Sequence, residues 1–320
     1  MRAIVRNKYG SPEILELGDV EKPELVDDGV LVRVRAASVN RVDWYDVTGT
    51  PWIARPITGL CGPKSPPVGG DFAGTVEAVG KDVEGIRAGE EAFGVADGSF
   101  AEYVCVQKAV ARKPANLTFE EAAAVPVAGL TALQGLRDHG QLQSGQQILV
   151  NGASGGVGTF AVQIAKALGA EVTAVCSTRN VEQARSLGAD HVIDYTREDF
   201  TRSGRRCDVI LDVAGSKSWS ECRRVLNPEA TLVIVGGKGS RLMGPLGHIA
   251  KVRVAAVRGS QKAVFFVAKL NPSDLDFLRD LLESGAVKPA VEGRYALTEV
   301  ADALSYMGEG HARGKLVINL

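Results

Sequence analysis

Over the first third of the chain, apolar residues recur at every second position in short runs. Val30, Val32 and Val34 alternate with Leu31, Arg33 and Arg35 inside Gly29–Asn40. A period of two puts successive side chains on opposite faces of a strand, so this run and Met1–Arg6, Gly70–Val79 and Ala101–Val106 predict β-strands. Gly62-Pro63 and Pro66-Pro67-Val68-Gly69-Gly70 separate them, as turn residues should. The expectation is a compact β-rich domain.

Near Asn116 the period lengthens. Thr118-Phe-Glu-Glu121 has the spacing of a capping box, in which a hydroxyl and a carboxylate satisfy free amides at a helix start, and alanine-rich helix is expected on toward Leu136. Strands at Gln147–Val150, Glu171–Cys176, His191–Ile193, Asp208–Val213 and Thr231–Val235 then take turns with helices at Gly156–Leu168, near Asn180–Leu187 and at Trp219–Leu226. That alternation predicts βαβ crossovers and a parallel sheet. Asn271-Pro272 suits an N-cap with Pro in the first turn, so Ser273–Glu283 reads as a helix. The closing run Lys315–Leu320 alternates like the opening one, which suggests that both termini share one domain.

Between the apolar run Ile148-Leu149-Val150 and a helix with Val157, Ala161, Ile164, Ala165 and Leu168 on one face lies Asn151-Gly-Ala-Ser-Gly-Gly-Val-Gly158. Set against G-x-G-x-x-G, Ala153 takes the first glycine's place while Gly155 and Gly158 keep the other two. Gly155 lets backbone approach a diphosphate, Gly158 lets the helix pack closely on the strand, and the helix start offers free amides to the anion. The next strand ends on Ser177, Thr178 and Arg179, where an NAD site carries a carboxylate for the ribose. Two hydroxyls and a guanidinium instead suit a 2′-phosphate, so NADPH is the expected cofactor. The plainer alternative makes Arg179 a solvated loop charge.

Composition narrows the function classes. A chain of 320 residues exceeds what one core usually fills, so two domains are expected. With 45% hydrophobic and 23% charged residues and a net charge of −1, nothing favours a nucleic-acid partner. Cys61, Cys105, Cys176, Cys207 and Cys222 are too scattered for a disulfide framework or a metal knuckle, and read as reduced, mostly buried thiols. No apolar run is long enough for a bilayer, and Met1–Gly10 reads as a strand rather than a targeting segment; a cytoplasmic protein without a membrane partner is the default.

The sequence resembles the medium-chain dehydrogenase/reductase superfamily, in particular its zinc-independent quinone oxidoreductase (zeta-crystallin-like) branch. Tyr9-Gly10 with Leu15-Glu16-Leu17, Val32–Asn40 with Asp43, and Gly70-Asp-Phe-Ala-Gly-Thr-Val76 carry the likeness. So do Ala128-Gly-Leu-Thr-Ala132, the glycine loop, Gly188–Tyr195 and Gly314-Lys315. The resemblance implies an α/β protein: a Rossmann doubly wound parallel sheet domain plus a discontinuous GroES-like β-barrel catalytic domain. The catalytic domain is placed at 1–122 and 263–320, the NADP(H)-binding domain at 123–262. A homodimer is implied as well.

Alcohol dehydrogenases of this superfamily carry Cys where this chain has Asn40 and His-Glu where it has Gly70-Asp71. Neither Asn nor Gly replaces thiolate and imidazole, and His139, His191, His248 and His311 are scattered, so no metal is expected. Without a Lewis acid an unactivated alcohol is hard to oxidise. A quinone or α,β-unsaturated carbonyl takes hydride directly, leaving charge on an oxygen that hydrogen bonds stabilise.

The resemblance places Asn40 and Asp43 near the nicotinamide ribose and reacting face. Tyr45, beside Trp44, is a candidate to line the pocket and to donate to the developing enolate. Cofactor contacts are expected from Asn40, Thr131, Ser154, Gly155, Gly156, Val157, Ser177, Thr178, Arg179, Tyr195, Gly236 and Gly237, and, by family carry-over, from Phe266, Gly314 and Lys315. Each has a plainer reading: Asn40 a strand-end cap, Asp43 a first-turn acid, Thr131 an interior helix hydroxyl, Tyr195 a core ring. Segment 241–259, with Arg241, His248, Lys251, Arg253 and Arg258, suggests a basic flap or a solvated surface. Competing functions are a zinc-free alcohol or aldehyde dehydrogenase, and a non-catalytic NADPH-binding structural or sensor protein.

Overall fold

Strand Val30–Val39 is the hub of the β-rich part. It pairs antiparallel with Asp71–Val79, Tyr103–Val106 and the C-terminal Lys315–Asn319. The seven-stranded sheet continues from Asp71–Val79 through Glu91–Val95 to Val110–Arg112, and from Lys315–Asn319 to Val291–Ala296. Arg2–Val5 forms a hairpin with Glu16–Asp19, tied to this sheet region by bridges Ala3↔Ala101 and Val5↔Pro67. Two apolar clusters fill this part: Val30, Val32, Val34, Phe72 and Val76 with their neighbours, and Val39, Val47, Phe100, Leu304, Leu316 and Ile318 with theirs. Both termini do lie in this unit, which comprises Met1–Leu130, Lys269–Gly285 and Pro289–Leu320 in the computed structural model. Residues 1–237, 242–244, 246–257, 259–310 and 312–320 are described; Arg241, Arg258 and His311 lie outside them.

The second unit, Thr131–Ala268 with Ala286–Lys288, holds six strands, all parallel. Their order across the sheet is His191–Asp194, Glu171–Cys176, Gln147–Asn151, Cys207–Asp212, Leu226–Ile234 and Lys262–Phe265. That is the doubly wound order, and its carboxyl edge is where such sheets take ligands. Helix Gly156–Ala167 follows the first strand and buries Phe160, Ala161, Ile164 and Ala165. Cys176, Cys207 and Cys222 are buried and all five thiols are free. Among the described residues no helix is long and apolar enough to cross a membrane.

Three elements differ from the sequence expectation for local reasons. The helix after Thr118 is interrupted: Phe119–Ala123 ends and Pro126–Gln134 begins anew, because proline has no N–H to continue the ladder. The helix from Trp219 stops at Cys222, and Leu226 instead opens a strand that pairs with Cys207. The 241–259 segment contains a helix, Leu246–Ala256, whose Ile249 and Val252 are buried while Lys251 and Arg253 face solvent.

Candidate functional site

At the carboxyl edge of the parallel sheet, Gly155 caps helix Gly156–Ala167 in an extended conformation, φ −79° and ψ 175°. The first-turn amides of a helix have no partner within it, so those of Gly156 and Val157 are available to an anion. A Cβ built on Gly158 would lie 2.1 Å from the Gly152 carbonyl oxygen and 2.7 Å from Ala153 Cα, so only glycine lets the helix sit this close to the loop. Beside Gly155, by contrast, a Cβ would meet nothing nearer than 3.8 Å, which leaves room where the backbone is to be approached. The cradle fits a diphosphate.

One strand over, Ser177 and Thr178 follow Glu171–Cys176, with Ser177 half-buried and Thr178, Arg179 and Tyr195 exposed. A carboxylate does stand here, on the neighbouring strand. Asp194 is paired in register with Cys176, and it accepts hydrogen bonds from Thr178 Oγ1 at 2.5 Å and Thr196 Oγ1 at 2.7 Å. These hydroxyls, Thr178 first, hold its carboxyl below the usual range.

On the other side of the glycine loop, Asn151 Nδ2 and the Gly215 amide donate to Asp212 Oδ1 at 2.7 and 2.8 Å. Asp212 Oδ2 is buried without a partner among the described residues, as is His248 Nε2. Burial pushes the Asp212 carboxyl up. Gly236 and Gly237 lie at this edge as expected, and a Cβ on Gly215 would be 2.2 Å from Gly237 Cα. Their lack of side chains thus has a packing cause as well.

In the β-rich unit the predicted residues converge on a buried polar cluster. Asp43 Oδ2 accepts the Asn40 amide N–H at 2.6 Å, which anchors the start of helix Arg41–Thr48. Asn40 spends its side chain elsewhere: Nδ2 donates to Asp71 Oδ2 at 2.8 Å, and Oδ1 accepts from Lys315 Nζ at 2.5 Å. Asp71 also accepts from Ser38 Oγ at 3.0 Å, Lys315 Nζ at 3.2 Å and the Val127 amide at 2.9 Å. Asp71 and Ser38 are 0% exposed and Lys315 1%. Lys315 pairs directly with Asp71 alone in this dry interior, and burial, reinforced by the charge on Asp71, pushes the Asp43 carboxyl up to about 7. Gly70 leaves the space beside Asp43 Oδ1 open, since a Cβ there would be 3.5 Å from that oxygen. Trp44 and Tyr45 meet edge to face at 5.5 Å, with the Arg41 guanidinium over both rings.

The family model for the alcohol dehydrogenase GroES-like domain matches residues 26–115, and that for zinc-binding dehydrogenases matches 187–318. A 2-methylene-furan-3-one reductase from Solanum lycopersicum is 35% identical over 335 residues, covering 100% of this chain and 79% of that protein. The chain belongs to the medium-chain dehydrogenase/reductase superfamily. An NADPH-dependent alkenal/one oxidoreductase from Arabidopsis thaliana is 33% identical over 99% of this chain and 79% of its own. Among solved structures, the quinone oxidoreductase from Coxiella burnetii superposes with a TM-score of 0.89 at 30% identity, covering 100% and 99% of the two chains. The Escherichia coli quinone oxidoreductase complexed with NADPH gives 0.82 at 26% identity, with 100% of both chains covered. These likenesses place the chain in the quinone oxidoreductase branch and identify the two units as the GroES-like and Rossmann domains of that superfamily.

Within the superfamily, the zinc question turns on donors. At Asn40 and Gly70 this member offers an amide and no side chain, and an ammonium already binds Asn40 Oδ1 and Asp71. That donor set does not fit zinc.

The remaining predicted residues fall in separate places. Phe266 stacks on His139 at 4.2 Å, and Thr131 is half-buried in helix Pro126–Gln134. Gly314 has φ +123°, and a Cβ there would sit 2.2 Å from the Ala290 carbonyl oxygen. Asp71, Asp194 and Asp212 are not among the site residues the sequence predicts. The last two each close a parallel strand at the ligand-binding edge, a position that flags them without any structure.

Proposed function

We propose that this protein is an NADPH-dependent, zinc-independent reductase that transfers hydride to a quinone or an α,β-unsaturated carbonyl. The observation that carries the reading is the glycine-opened helix Gly156–Ala167 at the carboxyl edge of a parallel sheet, next to Ser177 and Thr178. The activities of the relatives support the choice of NADPH and of conjugated acceptors.

In this reading Ser154, Gly155, Gly156 and Val157 hold the diphosphate, and Ser177, Thr178, Arg179 and Tyr195 hold the adenosine ribose and its phosphate. Thr131, Gly236, Gly237, Phe266 and Asn40 serve the nicotinamide end. Gly314 sets the turn before Lys315, and Lys315 acts through Asn40, whose oxygen it binds. When bound, NADPH supplies the hydride. As hydride adds to the acceptor's β-carbon, the carbonyl π electrons move to oxygen, where the Tyr45 hydroxyl donates a hydrogen bond. The resulting enolate needs one proton. The Asp43 carboxyl, pushed up to about 7 by burial, is the candidate to supply it, with Oδ2 accepting the Asn40 amide. Segments 1–122 and 263–320 form the catalytic part of this scheme and 123–262 the cofactor-binding part. A homodimer in the cytoplasm completes it, checked by light scattering and cell fractionation.

The test compares NADPH and NADH oxidation by metal-stripped protein with quinone, enone and aldehyde panels. Rapid NADPH consumption with quinones or enones is expected. Turnover confined to simple alcohols and aldehydes overturns the reading, and nucleotide binding without turnover of any acceptor points to a sensor.

A further inference from the structure

We propose that Asp194 is a specificity-determining residue, limiting the preference for NADPH over NADH. This rests on the NADPH-binding reading above and deepens it.

The segment Ser177-Thr178-Arg179 suggests a phosphate site built of two hydroxyls and a guanidinium. Geometry removes one of those donors. A hydroxyl has a single hydrogen, and Thr178 finds two acceptors for its own inside this cluster, Asp194 Oδ2 at 2.5 Å and Thr196 Oγ1 at 2.9 Å. Thr196 likewise gives its hydroxyl hydrogen to Asp194 Oδ1 at 2.7 Å, and its amide N–H goes to the same oxygen at 3.0 Å. Toward a 2′-phosphate these two threonines present lone pairs, which repel an anion. Ser177 is different, because its Oγ accepts from Asn180 Nδ2 at 3.2 Å and so keeps its own hydrogen to donate.

Charge acts in the same direction. Asp194 stands one strand from Cys176, and its side chain is 13% exposed, with the exposed Arg197 guanidinium 3.5 Å away. Its fixed negative charge therefore lies within one hydroxyl of the residue expected to meet the extra phosphate. A phosphate dianion is repelled there, while a ribose 2′-hydroxyl, a neutral donor, is not. The sheet thus carries the carboxylate of an NAD site on the adjoining strand, masked by two hydroxyls, and the result is a reductase with limited discrimination.

The experiment uses the whole protein with Asp194→Asn, which keeps the side chain's size and an acceptor oxygen for Thr178. Calorimetric titration with 2′,5′-ADP and with 5′-AMP reads the phosphate's contribution apart from any hydride transfer; the kcat/KM ratio for NADPH over NADH reads it in turnover. Both ratios should rise about three- to tenfold, through Kd and KM rather than kcat, and the gain should shrink between about 50 and 300 mM salt. Should the asparagine variant fail to fold, Asp194→Ser, which keeps a hydroxyl for Thr178 and Thr196, takes its place. A ratio that stays within twofold or falls overturns the inference, the carboxylate then being a scaffold for Thr178. If the wild-type protein binds neither nucleotide, the functional reading fails as well, an outcome distinct from wild-type binding with an unchanged ratio.

Discussion

Asp71 and Asp194 make nearly the same contacts in two very different settings. Each accepts a side-chain hydroxyl, from Ser38 or Thr178, and each has a cation within 3.5 Å, Lys315 or Arg197. Asp71 and Lys315 are dry, however, whereas Thr178 is exposed and the Arg197 side chain is 77% exposed. Water decides what each cluster can do. In the interior, a charge without its partner has no solvent to fall back on, so the Asp71 cluster governs stability and protonation. At the sheet edge, solvent screens the same groups, and what survives is selectivity between ligands that differ by a phosphate.

The sharpest way to break this contrast is Lys315→Met. It leaves Asp71 and Asp43 buried together without the ammonium, and removing one partner of a buried pair costs about 3–5 kcal/mol. Urea denaturation should show a loss of that size. Adding Asp71→Asn should recover part of it, because an amide needs no countercharge; a double-mutant cycle without coupling would count against the shared network.

The next effect is a pH dependence carried by Asp43. Its folded carboxyl is pushed up to about 7, above the unfolded value, by burial first and by Asp71. The unfolded chain therefore releases this proton at lower pH than the folded one. Stability from this group is full below about pH 4 and is lost progressively as pH rises toward 7, levelling off above that. The change amounts to a few kcal/mol at most. Asp43→Asn should flatten the profile over that window while leaving the acid limb set by other carboxylates. Should Asp43 also be the proton source, kcat for an enone in the parent enzyme falls above about pH 7.

How much of this was legible beforehand follows from the range of each interaction. The glycine loop, its flanking strand and helix, and the Thr118 and Asn271 caps are local devices, and the side chains and spacing named them; the Asn271 oxygen does accept the Asp274 amide at 2.8 Å. Alternation in the terminal strand predicts that both ends of the chain share one domain, while its pairing with Val30–Val39 needs the fold. The bond from Lys315 to Asn40 spans 275 residues, and nothing in either neighbourhood announces it. Asn40 and Asp43 were singled out through family likeness, and the plainer reading of Asp43 as a first-turn acid is also true. Asp194 escapes the sequence pattern because a ribose carboxylate is expected at the end of the strand after the glycine-loop helix, and this residue closes the neighbouring strand.

The smallest effect completes the contrast. Arg197→Met makes the same deletion as Lys315→Met, a cation next to a carboxylate, but at the wet edge. Surface ion pairs contribute about 0–1 kcal/mol, and this one spans 3.5 Å between a carboxylate already satisfied by Thr178 and Thr196 and an exposed guanidinium. Thermal unfolding should move by no more than about a degree or two. In ligand discrimination the sign is definite: with Arg197 gone, Asp194 is less neutralised and the NADPH over NADH ratio should drop slightly, opposite to Asp194→Asn. If the two arginine and lysine deletions cost the same stability, burial is not what separates the clusters, and the explanation must lie in the chain that carries them.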